Sequence, residues 1–126
     1  MKPMDQSFPN TEHLKGKTLI NELFLNGKSV TAYPLRMYYI PLKDNDVKGF
    51  KVGVSVPKRN FKLAVHRNRI KRLLRESFRK NKYLVYNGTT QHFALLIVYI
   101  GKETPEYEFV ETKFKKLVGA FLKAVS

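Results

Sequence analysis

The chain of 126 residues has no cysteine, which excludes both a disulfide framework and a zinc ribbon. Its longest apolar run, residues 93–100, has eight residues, whereas a membrane-spanning helix needs about 18. Residues 1–11 have neither the apolar segment nor the small-residue cleavage site of a secretory signal. These absences favour a cytoplasmic protein without a membrane span.

Acidic residues are also scarce, ten against 24 Lys and Arg, and they are scattered. No carboxylate cluster resembles the metal site of a nuclease, and there is no P-loop, dinucleotide-binding glycine pattern or catalytic serine motif. A pair of histidines could act as a metal-free ribonuclease, but cations surround His66 and His92 precedes a predicted buried strand. The sequence therefore gives little support to an autonomous ribonuclease.

What the chain does have is concentrated positive charge. Residues 58–82 contain eleven Lys and Arg and one acid, Glu76, so this segment carries +10 of the formal net charge of +14. Because 43% of the residues are apolar and 13% are aromatic, the chain can bury a core and differs from a disordered basic tail. A folded domain with one strongly cationic surface indicates a polyanionic partner, namely nucleic acid.

The apolar pattern predicts one α+β domain over residues 11–126, preceded by a flexible arm over residues 1–10. Helical spacing predicts three helices: a short one capped by Thr18 and ended by Gly27, a basic one over 67–82, and a last one capped by Thr104. Strand patterns occupy residues 35–40, 50–56 and 93–100, with turns over 43–48 and at Asn87-Gly88. We expect the 50–56 strand to lie centrally.

The basic helix is predicted to have two different sides. Its apolar residues share one side, and the neighbouring stripe, about 100° wide, is polar and cationic. The stripe consists of Asn68, Lys71, Arg72, Arg75, Arg79 and Lys82. Arginine binds phosphate with two parallel hydrogen bonds, which favours RNA or DNA contact. A solvated helix face and a membrane-surface or calmodulin-target helix remain alternatives, although a solvated face usually has acids at i+4.

A second candidate surface lies on the 50–56 strand, where small or polar residues alternate with valines. Lys51, Gly53 and Ser55 would form a trough, since Gly53 lets another backbone approach closely. Phe24, Tyr38 and Tyr39 would border it, and Tyr38 has the better claim to exposure because alternation puts Tyr39 on the opposite face. Stacking on an aromatic ring contributes about 1–3 kcal/mol per base. The alternative is that Phe24 is a core residue and that one tyrosine belongs to the sheet.

Three segments resemble the protein component of bacterial ribonuclease P. VGVSV at residues 52–56, followed by Lys58-Arg59, is similar to the family's VGxSVxKK. RNRIKRLLRE at residues 67–76 is similar to RNRIKRLxRE, and LFLNGKS at residues 23–29 is similar to VFxxGxS. The resemblance covers residues 14–126 in element order.

The resemblance implies an α–β sandwich like the second domain of ribosomal protein S5, with a small mixed sheet and a left-handed βαβ crossover. It implies a monomeric subunit, one per catalytic RNA, that assists Mg²⁺-dependent endonucleolytic removal of the 5′ leader from precursor tRNA. The RNA and its bound Mg²⁺ would perform the hydrolysis, and the protein would supply no catalytic side chain and no metal site. The alternative is a structured-RNA-binding or ribosomal protein with no role in cleavage.

The resemblance and the residue patterns together give two sets of candidate site residues. The residues expected to bind the RNA subunit are Arg67, Asn68, Arg69, Lys71, Arg72, Arg75 and Arg79. The residues expected to bind the leader are Ile20, Phe24, Tyr38, Lys51, Ser55, Lys58 and Arg59. The family usually has Phe where this chain has Ile20, so we expect weaker leader contact there.

Overall fold

The computed structural model describes residues 17–42, 50–89 and 91–126, and these residues form three helices and four strands. The elements are α1 (Lys17–Asn26), β1 (Lys28–Ala32), β2 (Leu35–Pro41), β3 (Lys51–Ser55), α2 (Ala64–Gly88), β4 (Phe93–Tyr99) and α3 (Tyr107–Val125). None of these helices is long and apolar enough to cross a membrane. The α+β prediction is confirmed, while the expected arm over 1–10 and the turn over 43–48 fall outside the described residues.

The sheet is mixed and has the strand order β1-β2-β4-β3. β1 with β2 and β2 with β4 pair antiparallel, whereas β3 and β4 pair parallel and are connected through α2. The expectation that the 50–56 strand lies centrally is wrong, because β3 is an edge strand of this sheet. Alternation in a strand shows which residues share a face, but it does not show how many neighbours the strand has.

Helices cover both faces of the sheet, which explains why all seven residues of β4 are buried. On one face, α2 and α3 pack over a core whose fully buried members include Met37, Phe50, Ile97, Phe114 and Phe121. On the other face, Leu23 of α1 packs with Ala94, Leu96 and Val98 of β4. The continuous apolar run that predicted a buried strand at residues 93–100 is therefore confirmed.

Several predicted element boundaries differ from those observed. α1 begins at Lys17, so Thr18 lies inside the helix and is not its cap; the predicted end is confirmed, since the amide of Gly27 donates to Leu23 O at 3.0 Å. α2 extends through the predicted Asn87-Gly88 turn, because Val85 is buried and keeps the last turns packed. α3 has Glu106 at its N-cap position instead of Thr104.

A hydrogen-bonded group joins α2 to α3. The Asn81 amide Nδ2 donates to Ser77 O and to Glu111 Oε2, both at 2.9 Å, and the Tyr107 hydroxyl donates to the same Glu111 oxygen at 2.9 Å. The bonds from Asn81 and Tyr107 lower the pKa of Glu111. Burial, together with the bond to Glu111, raises the pKa of Tyr107 to about 12.

These contacts predict that the free energy of unfolding falls at alkaline pH as Tyr107 ionises. Because its folded pKa of about 12 exceeds the ordinary value of 10.0, its stabilising effect is complete below pH 10 and is lost as the pH rises toward 12. Tyr107→Phe should reduce the free energy of unfolding at neutral pH by about 1 kcal/mol, through the lost hydrogen bond. It should also lose less stability than the wild type on alkalinisation, measured by urea unfolding. Parallel pH curves for the two proteins would contradict this.

Candidate nucleic-acid interface

The two sides of α2 differ sharply in chemistry. Ile70, Leu74 and Phe78 are buried against the sheet, and the side facing away from the core carries the cations. We call this surface the α2 cation patch: Asn68, Arg69, Lys71, Arg72 and Arg75, all exposed except the half-buried Lys71. Among the described residues, no carboxylate pairs with any of its four cations. The patch therefore presents unneutralised charge to solvent, as a phosphate-binding surface requires.

Arg67, the first residue of the RNR motif, forms hydrogen bonds within the protein. Its Nη1 donates to Phe61 O at 2.8 Å and to Lys62 O at 2.9 Å. These carbonyls belong to the loop between β3 and α2, so the guanidinium fixes that loop against the start of the helix. An arginine has five N–H donors, and those that remain are still available to a phosphate.

The C-terminal half of α2 contributes less charge than the sequence pattern indicated. Arg79 forms a bidentate pair with Glu76, with Nε–Oε1 at 3.0 Å and Nη2–Oε2 at 2.8 Å. The hydrogen bond from Arg79 lowers the pKa of Glu76, so the pair is held in its ionised form. Lys82, expected on the cationic stripe, is buried with 5% of its surface exposed. The free cations are thus concentrated in the first half of the helix.

A second surface lies on the open side of β3. Lys51, Gly53 and Ser55 point to the α1 face of the sheet and are half-buried, and in the parallel register Gly53 lies beside Leu96. α1 packs mainly on β2 and β4, so this edge of the same face is left accessible. We call these three residues of β3 the β3 shelf. The predicted alternation is confirmed, since these residues share one face, although they lie at the edge of the sheet.

Aromatic side chains lie on the same face of the sheet as the β3 shelf. Phe24 of α1 is 51% exposed, and its ring centroid lies 4.9 Å from that of Tyr38 on β2. Tyr38 is opposite Leu96, which in turn pairs with Gly53, so Tyr38 and Gly53 are two strand spacings apart, about 10 Å. The alternative that Phe24 is a core residue is wrong, since the neighbouring Leu23 occupies the core position. Ile20, one turn earlier, is half-buried.

Lys58 and Arg59 connect the two surfaces. Both are exposed, in a turn where the Asn60 amide donates to Pro57 O at 3.3 Å. This turn lies in the loop between β3 and α2. The β3 shelf and the α2 cation patch therefore belong to one continuous segment of chain with a cationic bridge between them.

Arg36, which was not among the predicted site residues, lies on the same face of the sheet. Arg36 is opposite Val98, and Val98 pairs with Ser55. Arg36 and Ser55 therefore lie in the cross-strand row next to the one that contains Tyr38 and Gly53. Its Nε donates to Thr31 Oγ1 at 3.3 Å. The signal was available, since alternation places Arg36 and Tyr38 on one face. No three His, Asp or Glu side chains gather as a metal site in the part of the chain that the structure describes.

Known proteins resemble this chain over most of its length. The family model of Ribonuclease P matches residues 8–122. The chain is 34% identical over 109 residues to the "Ribonuclease P protein component" of Porphyromonas gingivalis W83, covering 84% of this chain and 80% of that protein. It is 31% identical over 121 residues to the protein of the same name from Chlorobium phaeobacteroides, covering 85% of this chain and 82% of that one.

Solved structures show the same fold. The RNase P protein of Staphylococcus aureus superposes with a TM-score of 0.69 at 20% identity, covering 86% of this chain and 93% of the other. The protein from Thermotoga maritima gives a TM-score of 0.67 at 23% identity, covering 85% and 94%.

The position of Arg67 predicts a structural role that its neighbours on α2 do not share. Arg67→Ala should lower the free energy of unfolding by about 1–2 kcal/mol, because two carbonyls lose a charged donor. Arg72→Ala, at an exposed position without a partner in the described chain, is the matched control and should stay within about 0.5 kcal/mol of the wild type. Chemical denaturation measures both. Equal stabilities of the two variants would show that the loop contacts contribute nothing.

Proposed function

The chain belongs to the ribonuclease P family as a protein component, and from this premise we propose that its two surfaces bind two different RNAs of one reaction. The α2 cation patch binds the catalytic RNA, and the β3 shelf binds the single-stranded 5′ leader of precursor tRNA. The observation that carries this proposal is the set of unneutralised cations on α2, continuous in the chain with an open, small-residue shelf.

Electrostatics supply the first part of the proposed mechanism. Each cation that neutralises a phosphate releases a condensed counterion, which favours binding at low salt. Two RNAs that approach each other repel, and a protein surface of Lys and Arg placed between them screens the phosphates. Adding the protein should therefore raise the affinity for precursor tRNA and reduce the Mg²⁺ concentration that the reaction requires.

Leader recognition supplies the second part. Gly53 has no side chain, so the backbone of an unpaired nucleotide strand can lie close to β3. Phe24 and Tyr38 offer ring surfaces beside it, while Lys58 and Arg59 face the strand where it leaves the shelf. Stacking is tolerant of base identity because every base has a π-face, so we expect the shelf to accept leaders of many sequences. Ile20 offers no ring, which weakens stacking at its position.

Catalysis is assigned to the RNA. Within residues 17–42, 50–89 and 91–126 no three metal-ligating side chains come together, and we place the Mg²⁺ ions on the RNA subunit and the substrate. The protein then acts as a monomeric cytoplasmic subunit, one per RNA, that orients the substrate. Hydrolysis gives the mature 5′ end of the tRNA.

One assay tests this assignment. Purified protein, precursor tRNA and Mg²⁺ are combined with and without the catalytic RNA, and cleavage is followed at low and high Mg²⁺. We expect no cleavage by the protein alone and faster cleavage by the RNA at low Mg²⁺ when the protein is added. Cleavage by the protein alone would overturn the assignment of catalysis. A protein that binds RNA without improving cleavage would instead be a structured-RNA-binding protein.

The α2 cation patch predicts a specific salt dependence. Replacing both Arg72 and Arg75 by Ala should weaken binding to the catalytic RNA and flatten the log–log salt slope by about 1–2 units. The fold should survive, since both side chains are exposed. The matched control replaces Lys116 and Lys123 of α3, also exposed, by Ala and removes the same charge. An equal change of slope in the two double variants would mean that the contact is not localised on α2.

A further inference from the structure

Tyr33 is a mostly exposed tyrosine. It lies in the two-residue turn between β1 and β2 with 64% of its surface exposed, more than any other aromatic residue that the structure describes. Phe24 contacts Tyr38, and the exposed Phe109 lies under the ammonium of Lys113, but no ring contact or side-chain hydrogen bond of Tyr33 occurs within the described residues.

The backbone that presents Tyr33 is held firmly. Pro34 is buried, and its carbonyl accepts a hydrogen bond from the Ile100 amide at 2.8 Å, which ties the turn to the end of β4. A Cβ at Gly101 would lie 2.8 Å from the Tyr99 hydroxyl and 3.0 Å from Pro34 Cβ, so the two segments meet there without spare room. An exposed ring on a fixed backbone loses little conformational freedom when a partner binds.

The topology places this turn at the same end of the sheet as the cationic loop, the loop between β3 and α2 that contains Lys58 and Arg59. β2 begins at Leu35, β4 ends at Tyr99 and β3 ends at Ser55, and the pairings place all three at one end of the sheet. From the β1–β2 turn to β3 is about two and a half strand spacings, roughly 12 Å. Lys58 and Arg59 follow β3 at this end, after Val56 and Pro57.

Contacts through Tyr99 support that proximity. The ring of Phe61, in the β3–α2 loop, lies 5.9 Å from the ring of Tyr99, and the Phe61 carbonyl accepts from Arg67. Burial raises the pKa of the Tyr99 phenol, and the nearby Tyr33 phenol adds to that shift. Tyr99 therefore has the cationic loop on one side and the turn of Tyr33 on the other. Arg36, two residues after the turn, adds a cation nearby.

We propose that Tyr33 is a stacking platform for an unpaired ribonucleotide of an RNA strand that passes the Lys58–Arg59 turn. This inference rests on the proposed function, since it needs RNA on the cationic loop, and it extends the contact across the end of the sheet. The nucleotide could belong to the 5′ leader or to the catalytic RNA. The chemistry is the same in both cases: a base stacks on the phenol ring, and its phosphates are near arginine and lysine.

The absence of tryptophan from the chain allows a direct optical test. Tyr33→Trp introduces a single tryptophan, whose emission should be quenched when a base stacks on it. Tyr83→Trp is the matched control, since Tyr83 is 42% exposed on the C-terminal half of α2, away from the proposed contact. Catalytic RNA is added first, then mature tRNA, then precursor tRNA with its leader. Quenching at the first step assigns the base to the catalytic RNA, and quenching only at the last assigns it to the leader.

Binding measurements give a second readout. Tyr33→Ala should weaken binding of the RNA whose addition causes quenching, and the affinity should fall about 5-fold or more, the effect of losing one stacked base. Tyr33→Phe should keep the wild-type affinity. Tyr83→Ala should leave the affinity unchanged. If Tyr33→Trp is not quenched and Tyr33→Ala binds and cleaves like the wild type, the inference is overturned and the proposed function stands. If the wild-type protein fails to bind RNA, the proposed function fails first.

Discussion

The packing of the apolar side of α2 against the sheet is the interaction on which the rest of the structure depends. Ile70, Leu74 and Phe78 are almost completely buried, and burying each such side chain stabilises the fold by about 1.5–3 kcal/mol. The cations on the other side repel one another, but an exposed pair interacts by only about 1 kcal/mol at 4 Å in water, and salt reduces this further. Burial outweighs repulsion, so the helix can keep its cations unneutralised.

The β3 shelf is accessible because the helices cover that face of the sheet only in part. A helix is about 10 Å across, the width of two strands, so one helix cannot cover a four-stranded sheet. α2 and α3 together cover one face, whereas α1, with ten residues, covers β2 and β4 on the other. The β3 edge of that second face stays accessible, and there the chain has Lys51, Gly53 and Ser55 instead of large apolar residues. Incomplete coverage and the lack of large side chains together leave the β3 shelf accessible, and there we propose that a strand of RNA binds.

Much of this could be predicted from the sequence, because periodicity reports which residues share a face. The two sides of α2, the buried strand at 93–100 and the small-residue face of β3 all follow from it. Long-range pairing could not be predicted. Among the described strands β3 pairs with β4 alone, which places it at the edge, and β1 is a strand because it pairs with β2. The bidentate pair of Arg79 with Glu76 and the burial of Lys82 depend on side-chain directions, which charge counting does not contain.

We expect RNA to lie along the β3–α2 segment and not along α3. Because the chain has no cysteine, one can be introduced at a time and used to tether a source of hydroxyl radicals. Leu63, 61% exposed before α2, and Gly119, where a Cβ on α3 meets no atom within 4 Å, are suitable positions. In the assembled complex, the probe at position 63 should cut the RNA strongly, and the probe at position 119 should not. Strong cuts from position 119 with none from position 63 would contradict the account.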